Sequence, residues 1–517
     1  MSVHSRAIVK NAAVVGGATL LSRVLGFLRD VIVAYALGAG PLADAFFVAF
    51  RVPNLLRRLF AEGSLTMAFV PVFTRIENED GTDEAYVMAR SVWVWLLIIL
   101  LPLTLIALFF AEPLTMIIAP GFKEDPAVFA TTVDLVRICF PYIILVSGMA
   151  LCMGILNAKN HFLAPALGPV ALNVVLIVSA LSGAWFGMSV PYALAWGVLI
   201  AGVVQVLMQI PPLKSRGYDW FGPIRLAHRG VVRTGKLMLP TVFGAAVYQI
   251  NIVIGTILAS FLAAGSISYL YYADRLVQFP LGIFGVAVST AALPSLSAIA
   301  TTGDMREFGD TLRSSLRLTM FISLPATAGL IALAEPLIAV LFGRGEFTPE
   351  AVNATSWALI GYGVGLPAFA LVRPLVSAFY ALEDTRTPVI IAAVCLLIYV
   401  TVGVSLMWPL DHVGLALATT VASWGNAIML IVMLRRRVPD FMKFIRQSLP
   451  SLGLSAVILA GAFITLPLGA LAVALVPVWV LAYFGLALLF KLPEAMMVLS
   501  ALRSRLGKGR IQDQSRS

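Results

Sequence analysis

Apolar runs of 18 residues or more recur along the whole chain, parted by short polar or charged segments. Each is long enough to cross roughly 30 Å of hydrocarbon as a helix. Fourteen are read, near residues 9–37, 41–74, 91–111, 128–157, 163–186, 189–213, 235–262, 266–300, 315–342, 350–380, 388–409, 413–434, 447–466 and 468–490. The pattern predicts an all-α integral membrane protein of about 14 transmembrane helices.

The runs also repeat as a set. Ala111-Glu112-Pro113-Leu114 closes the third run and Ala334-Glu335-Pro336-Leu337 closes the ninth, 223 residues later. Pro71 and Pro294 share that offset, as do Pro165 and Pro388, and GAGPLADAFFVAFR (38–51) lies over AAGSISYLYYADR (263–275) with a slip of one or two residues. Four landmarks at nearly one spacing point to an internal duplication. Its unit holds six spans, an even number, so both copies enter the membrane in the same orientation, as in transporters with parallel repeats. The expected organisation is a lobe at 1–230 (helices 1–6), a second at 231–440 (helices 7–12), and a segment 441–517 with two further helices and a basic tail.

Composition agrees: of 517 residues 60% are hydrophobic and 12% charged, and the mean hydropathy of +0.95 lies outside the range of soluble domains. The net charge of +10 is placed unevenly. With the N-terminus inside, 26 of the 36 Lys and Arg fall in cytoplasmic segments, 2 (Lys123, Arg344) in outer loops and 8 within spans. The positive-inside rule then puts both termini in the cytoplasm. The loop 214–236, the triple arginine 435–437 and the tail LRSRLGKGR lie at the anionic leaflet as topology and lipid-headgroup anchors, and no fold signal supports a nucleic-acid partner. Arg6 and Lys10 precede a small apolar run as in a signal peptide, but the segment continues through Arg23, Arg29 and Asp30 without a cleavage site. Cys139, Cys152 and Cys395, all in apolar spans, form no disulfide or metal pattern and read as packing residues.

One stretch breaks the apolar pattern. RVPNLLRRLFAEGS (51–64) sets three arginines and a glutamate inside the second run. At about 100° per residue, Asp44, Arg51, Asn54, Arg58 and Glu62 share one helix face, with Arg57 beside it. Pro53 removes a backbone hydrogen bond there, which is tolerated where the freed carbonyl meets a cavity or another helix. Arg23, Arg29 and Asp30 charge the first run, Asp274 and Arg275 the eighth, and Arg373 the tenth. A charge at bilayer centre costs about 2.5–3.5 kcal/mol on insertion scales, so such residues face a bundle interior or an aqueous cavity. Internal ion pairs, such as Arg58 with Glu62 and Asp134 with Arg137, are one explanation. Against it, eight spanning arginines face five carboxylates (Asp30, Asp44, Glu62, Asp134, Asp274), a surplus of three positive charges. Arginine stays protonated and forks two hydrogen bonds to phosphate, so the surplus suits a diphosphate or carboxylate better than an organic cation. Arg29 and Arg275 adjoin Asp30 and Asp274, but successive helical residues point about 100° apart and need not pair.

No catalytic constellation competes. There is no GxxxxGK[ST] and no HExxH, and His4, His161, His228 and His412 lie at span edges or in loops. The glycines of GYGVG (361–365) are better explained by close helix packing than by a nucleotide loop. The expectation is a transporter, not an enzyme, with no cofactor and no metal.

At RVLGFLRDVIVAYALGAGPLADAFFVAFRVPNLLRRLFAEG (23–63) and YYADRLVQFPLGIFGVAVSTAALPSLS (271–297) the sequence resembles the MurJ (MviN) family of bacterial lipid II flippases, within the multidrug/oligosaccharidyl-lipid/polysaccharide exporter superfamily. The resemblance runs from the first span to the last and is weakest over the final two. It implies a V-shaped fourteen-helix transporter whose two six-helix lobes enclose a cationic cavity, with helices 13 and 14 forming a groove for the lipid tail. Carried over by motif, the family's cavity residues fall on Arg23, Arg29, Asp30, Asp44, Arg51, Arg57, Glu62, Ser268, Asp274 and Arg275. Position 51 is often lysine in such sequences, and arginine keeps its charge. Some members resemble a sodium-binding type with a carboxylate in the seventh helix, where this chain has only Gln249 and Asn251, which puts a sodium site in doubt. The resemblance implies transport of lipid II, the undecaprenyl-diphosphate-linked peptidoglycan precursor, from the inner to the outer leaflet of the bacterial inner membrane by alternating access, among membrane lipids and cell-wall synthesis proteins. The rivals are a flippase for another polyprenyl-diphosphate-linked oligosaccharide, a drug/cation antiporter of the same superfamily, and a non-transporting membrane scaffold.

Overall fold

The computed structural model describes residues 3–60, 65–282 and 286–500, and side chains within these except at 3–13, 58–60, 241–248 and 286–291. Glu62, the side chain of Arg58 and the tail from 501 onward therefore lie outside the description. Among the described residues every regular element is a helix. In chain order they are α1 (Val3–Leu37), α2 (Pro41–Phe60), α3 (Thr66–Asp80), α4 (Thr82–Phe109), α5 (Ala111–Ile118), α6 (Pro126–Cys139), α7 (Tyr142–Ala158), α8 (Leu163–Trp185), α9 (Val190–Leu207), α10 (Ile210–Lys214) and α11 (Arg229–Ser260). There follow α12 (Ser266–Pro280), α13 (Val286–Thr302), α14 (Met305–Ala332), α15 (Ala334–Leu341), α16 (Pro349–Gly363), α17 (Leu366–Ala381), α18 (Arg386–Leu434), α19 (Lys443–Gln447), α20 (Leu449–Thr465), α21 (Ala470–Ala474) and α22 (Val476–Leu489).

Among the described residues the apolar stretches read from the sequence fall on helices. Seven described helices are long and apolar enough to cross a membrane, or nine if two bent pairs each count as one span. The charged helices α1 and α2 are not among them, in a count that covers the described residues alone.

The duplication is visible in the element boundaries. α4 and α14 are each 28 residues long and start 223 residues apart, and α5 and α15, each 8 residues, keep the same offset. α6 and α16 both start at a proline, Pro126 and Pro349. α18 merges two expected spans across a kink at Asp411 (φ 47°, ψ −136°), two residues beyond Pro409, the position equivalent to the gap between α8 and α9. Proline removes a helical donor, so the repeated prolines mark repeated breaks.

Packing defines two units. The first comprises Met1–Ser268 with Arg344–Ala351, and the second Tyr269–Gly343 with Val352–Ser517. In the first, α1 packs along α8, and α11 packs on α2, α3, α4 and α5. This packing boundary falls after Ser268, and α11 belongs with the helices of the first unit on which it packs. Residues 344–351 join this unit through the Glu346 N–H, which donates to the Tyr35 carbonyl (3.0 Å). Gly38, at φ +70°, permits that approach, since a Cβ there would overlap the Glu346 carbonyl.

In the second unit α13, α14, α17 and α18 share an apolar core around Leu316, Leu371, Leu375 and Phe379. The break between α16 and α17, bent by 41°, falls in GYGVG. Gly361 meets Ala416, and the Thr420 hydroxyl donates to the Gly361 carbonyl (2.7 Å), so these glycines serve helix packing. α20 and α22, expected to belong to neither lobe, dock on α14 through Phe321, Leu454, Ile458 and Tyr483, whose hydroxyl donates to the Phe321 carbonyl (2.9 Å). All three cysteines are free and buried.

Candidate functional site

The charged helices place their arginines against specific partners. On α1, Arg29 donates to one oxygen of Asp30 from both Nε (3.1 Å) and Nη2 (2.7 Å). Helix geometry left open whether these neighbours pair. They do, because the long arginine side chain curls back across the 100° between adjacent residues; Asp30 is buried and Arg29 largely so. The other side of the guanidinium, Nη1, donates to the Asn173 amide oxygen on α8 (3.1 Å). Arg23, nearly two turns earlier, is exposed.

On α2, Arg51 donates to the Thr256 hydroxyl of α11, and Arg57 donates through Nε to Asn54, one turn earlier on its own helix (3.0 Å). Asp44 behaves differently. It is 2% exposed, and its carboxylate accepts from Gly265 N (2.7 Å), Ser268 N (2.8 Å) and the Ser268 hydroxyl (2.5 Å). It caps the first turn of α12, where unpaired N–H groups and the helix dipole favour an anion. Asp44 and Ser268 are thus brought together within the first unit, the carboxylate serving as a tie between α2 and the start of α12. That tie occupies both oxygens of the Asp44 carboxylate.

In the second unit, Arg275 donates to the Tyr271 hydroxyl (2.9 Å) and lies over the same ring, 4.6 Å from its centroid, a cation–π contact one turn back on α12. Asp274 accepts from Gln278 (3.3 Å). The expected pair Asp134–Arg137 forms at 3.2 Å with both side chains about half exposed, while Arg58–Glu62 lies outside the described residues. Among the described residues no three His, Cys, Asp or Glu side chains cluster as a metal site.

Asn173, Thr256 and Tyr271 were not among the residues read from the sequence. Asn173 left a signal, as the single amide in the apolar run LAPALGPVALNVVLIVSALSGAW. Thr256 and Tyr271 left none, since threonine and tyrosine are ordinary in spans. Chemically, these bonds run from guanidinium to neutral oxygen. They help set the plane of each guanidinium, which for Arg29 is also paired with Asp30, and a planar fork is the geometry that matches a phosphate group.

Long apolar helices with a repeated order of elements, two of them carrying guanidinium groups held by hydrogen bonds, define the class of a polytopic membrane transporter. The fold agrees with a solved inward-facing transporter of the multidrug-resistance MATE family, of the MOP superfamily, at a TM-score of 0.67 and 16% identity over 84% of this chain and 99% of that one. More specifically, a family model described as lipid II flippase MurJ matches residues 33–493, and the chain belongs to that family. A probable lipid II flippase MurJ of Rhizobium meliloti is 41% identical over 439 residues, 83% of this chain and 80% of its own length. A lipid II flippase MurJ of Burkholderia cenocepacia is 38% identical over 460 residues, 86% and 88% of the two chains. A solved lipid II flippase MurJ in an inward closed conformation superposes with a TM-score of 0.76 at 29% identity, over 92% of this chain and 98% of that one. The protein is a membrane transporter and not an enzyme.

Proposed function

We propose that this chain moves lipid II from the cytoplasmic to the periplasmic leaflet of the bacterial inner membrane by alternating access, for cell-wall synthesis. The observation that carries this reading is the set of four spanning arginines, Arg29, Arg51, Arg57 and Arg275, each aimed by a hydrogen bond to a neutral oxygen. The diphosphate is the part of lipid II that such forks recognise. The kinship with lipid II flippases supports the sugar-peptide headgroup as the cargo. Undecaprenyl is too long to enter a cavity, so the tail stays in lipid, along the exposed apolar faces of α20 and α22, which include Val457, Ile464, Val480 and Leu481.

The proposed topology is fourteen spans with both termini cytoplasmic, the parts 1–230 and 231–440 acting as lobes and 441–517 as the tail-binding pair. Membrane lipids, and cell-wall synthesis proteins at the surface, are the proposed partners. The proposed driving force is the membrane potential or proton gradient: one charge crossing 100 mV is worth about 2.3 kcal/mol, enough to bias the return of an empty carrier with surplus positive charge.

The test is the purified protein in liposomes with fluorescent lipid II, read as protection from an external quencher, beside a polyprenyl-monophosphate sugar and a different polyprenyl-diphosphate oligosaccharide. Transport of lipid II alone supports the reading. Equal transport of the other diphosphate would shift it to a general polyprenyl-diphosphate flippase, and no transport of any would overturn it.

A further inference from the structure

We propose that Asn173 is a positioning residue for transport, acting through Arg29; the inference rests on the reading of Arg29 as a substrate contact. Asn173 is 5% exposed in the middle of α8, where α8 packs along α1. Its Nδ2 donates to the Ser22 carbonyl of α1 (3.0 Å) and its Oδ1 accepts from Arg29 Nη1 (3.1 Å). Chemistry fixes the amide this way round, because a carbonyl only accepts and a guanidinium only donates.

The Ser22 carbonyl lies one turn before Gly26 on α1. A side chain at the fourth residue along a helix leans back over the earlier turn and shields the carbonyl there. Position 26 is glycine, and a Cβ would already lie 3.4 Å from Asn173 Nδ2, so anything larger would enter the space of the amide. The glycine leaves the carbonyl open to a second donor.

The guanidinium plane is therefore held from two sides, by Asp30 on its own helix and by an amide on the neighbouring one. An amide in an apolar span is unfavourable unless hydrogen-bonded. Leucine would fill the same helix crossing without that requirement, so packing of α1 on α8 does not explain the residue. Orientation of Arg29 does. A neutral amide is also the choice that sets the plane of a guanidinium without adding a second negative charge beside it.

The experiment compares Asn173→Leu, Arg29→Ala and the double variant of the full-length protein in liposomes with labelled lipid II, each normalised to the protein inserted. Misplacing a binding group by about 1 Å costs up to roughly a hundredfold in rate, so Asn173→Leu is expected to lose transport by about tenfold or more at ordinary abundance. Added to Arg29→Ala it is expected to cost nothing further, whereas a packing role would multiply the two losses. Should the leucine variant be degraded, Asn173→Ser decides by the same comparison, since its hydroxyl satisfies itself on its own helix but does not bridge Ser22 and Arg29. Full activity of the Asn173 variants beside an inactive Arg29→Ala overturns the positioning role and leaves the proposed function standing. Full activity of Arg29→Ala overturns the substrate role of Arg29 and this inference with it.

Discussion

The two copies of the repeat solve one problem with different chemistry. In each, the segment after the sixth span turns back over the start of the third. In the first copy the segment 215–228 lies across α4, held by Tyr86 to the Arg216 carbonyl (2.5 Å), by Arg90 to the Asp219 and Pro223 carbonyls (both 2.9 Å) and by Trp95 to the Leu226 carbonyl (2.8 Å). In the second copy Gly309 of α14 meets the Pro439 carbonyl, and Arg317 donates to Gln447 (3.2 Å) and to Glu494 (2.5 Å), just past α22. Arg90 grips main-chain oxygens, which any sequence offers. Arg317 grips particular side chains, and through Glu494 it ties the C-terminal helix pair to the unit. The first device fastens a strap of free sequence, and the second specifies a partner.

That contrast predicts unequal costs. Glu494 is buried and, among the described residues, one of its oxygens, Oε2, has no hydrogen-bond partner. Glu494→Ala leaves the partly buried Arg317 charge with only Gln447 and is expected to cost about 3 kcal/mol, the low end for breaking a buried pair, with Arg317→Met in the same chain restoring most of it. Unfolding in detergent measures both. If Glu494→Ala unfolds like the parent, the tie is idle.

Arg90→Ala is expected to cost less, about 1.5–3 kcal/mol, because it removes a charged donor and leaves no opposite charge behind. The effect should be local. Proteolysis within 217–228 should accelerate while the second unit keeps its resistance, and uniform acceleration in both would contradict separate fastening.

The smallest expected effect concerns the equivalent loop positions 161 and 384. The Thr387 N–H, its hydroxyl and Arg437 hold the Asp384 carboxyl below the usual range. Burial, then Arg216, holds the His161 imidazole below its usual range. Both folded values are depressed, so both contributions are present above the unfolded value and lost as pH falls through the folded one. Acid should weaken the first copy from about pH 6.5 and the second only below about pH 4, each slightly, since both groups are solvent-screened. His161→Ala should flatten the upper part of the stability profile and Asp384→Asn the lower. An unchanged profile in either variant removes that group from the account.

How much of this was legible follows from where each interaction keeps its information. The repeat could be read because its landmarks are prolines and the AEPL motif, residues that stop or start helices, and the boundaries of α4, α5, α14 and α15 keep that register. The arginines could be read because charge in an apolar run stands out. The strap over α4 could be read as basic, but not as fastened, since Arg90 bonds to carbonyls that no side-chain pattern reveals. Pairings such as Asp44 with Ser268, 224 residues apart, or Arg51 with Thr256 depend on tertiary packing. The Arg29–Asp30 pair was left open because helix geometry fixes Cβ directions but not where a long side chain ends.

The account rests on the arginines contacting substrate, and the most direct measurement is the initial rate of lipid II transport by Arg57→Ala and Arg275→Ala in liposomes, one from each unit, with inserted protein quantified in the same samples. Both variants are expected to insert at ordinary levels and lose transport, with lysine restoring only part of it because it lacks the planar fork. Normal transport by either alanine variant, or loss of transport that tracks loss of inserted protein, would contradict the claim.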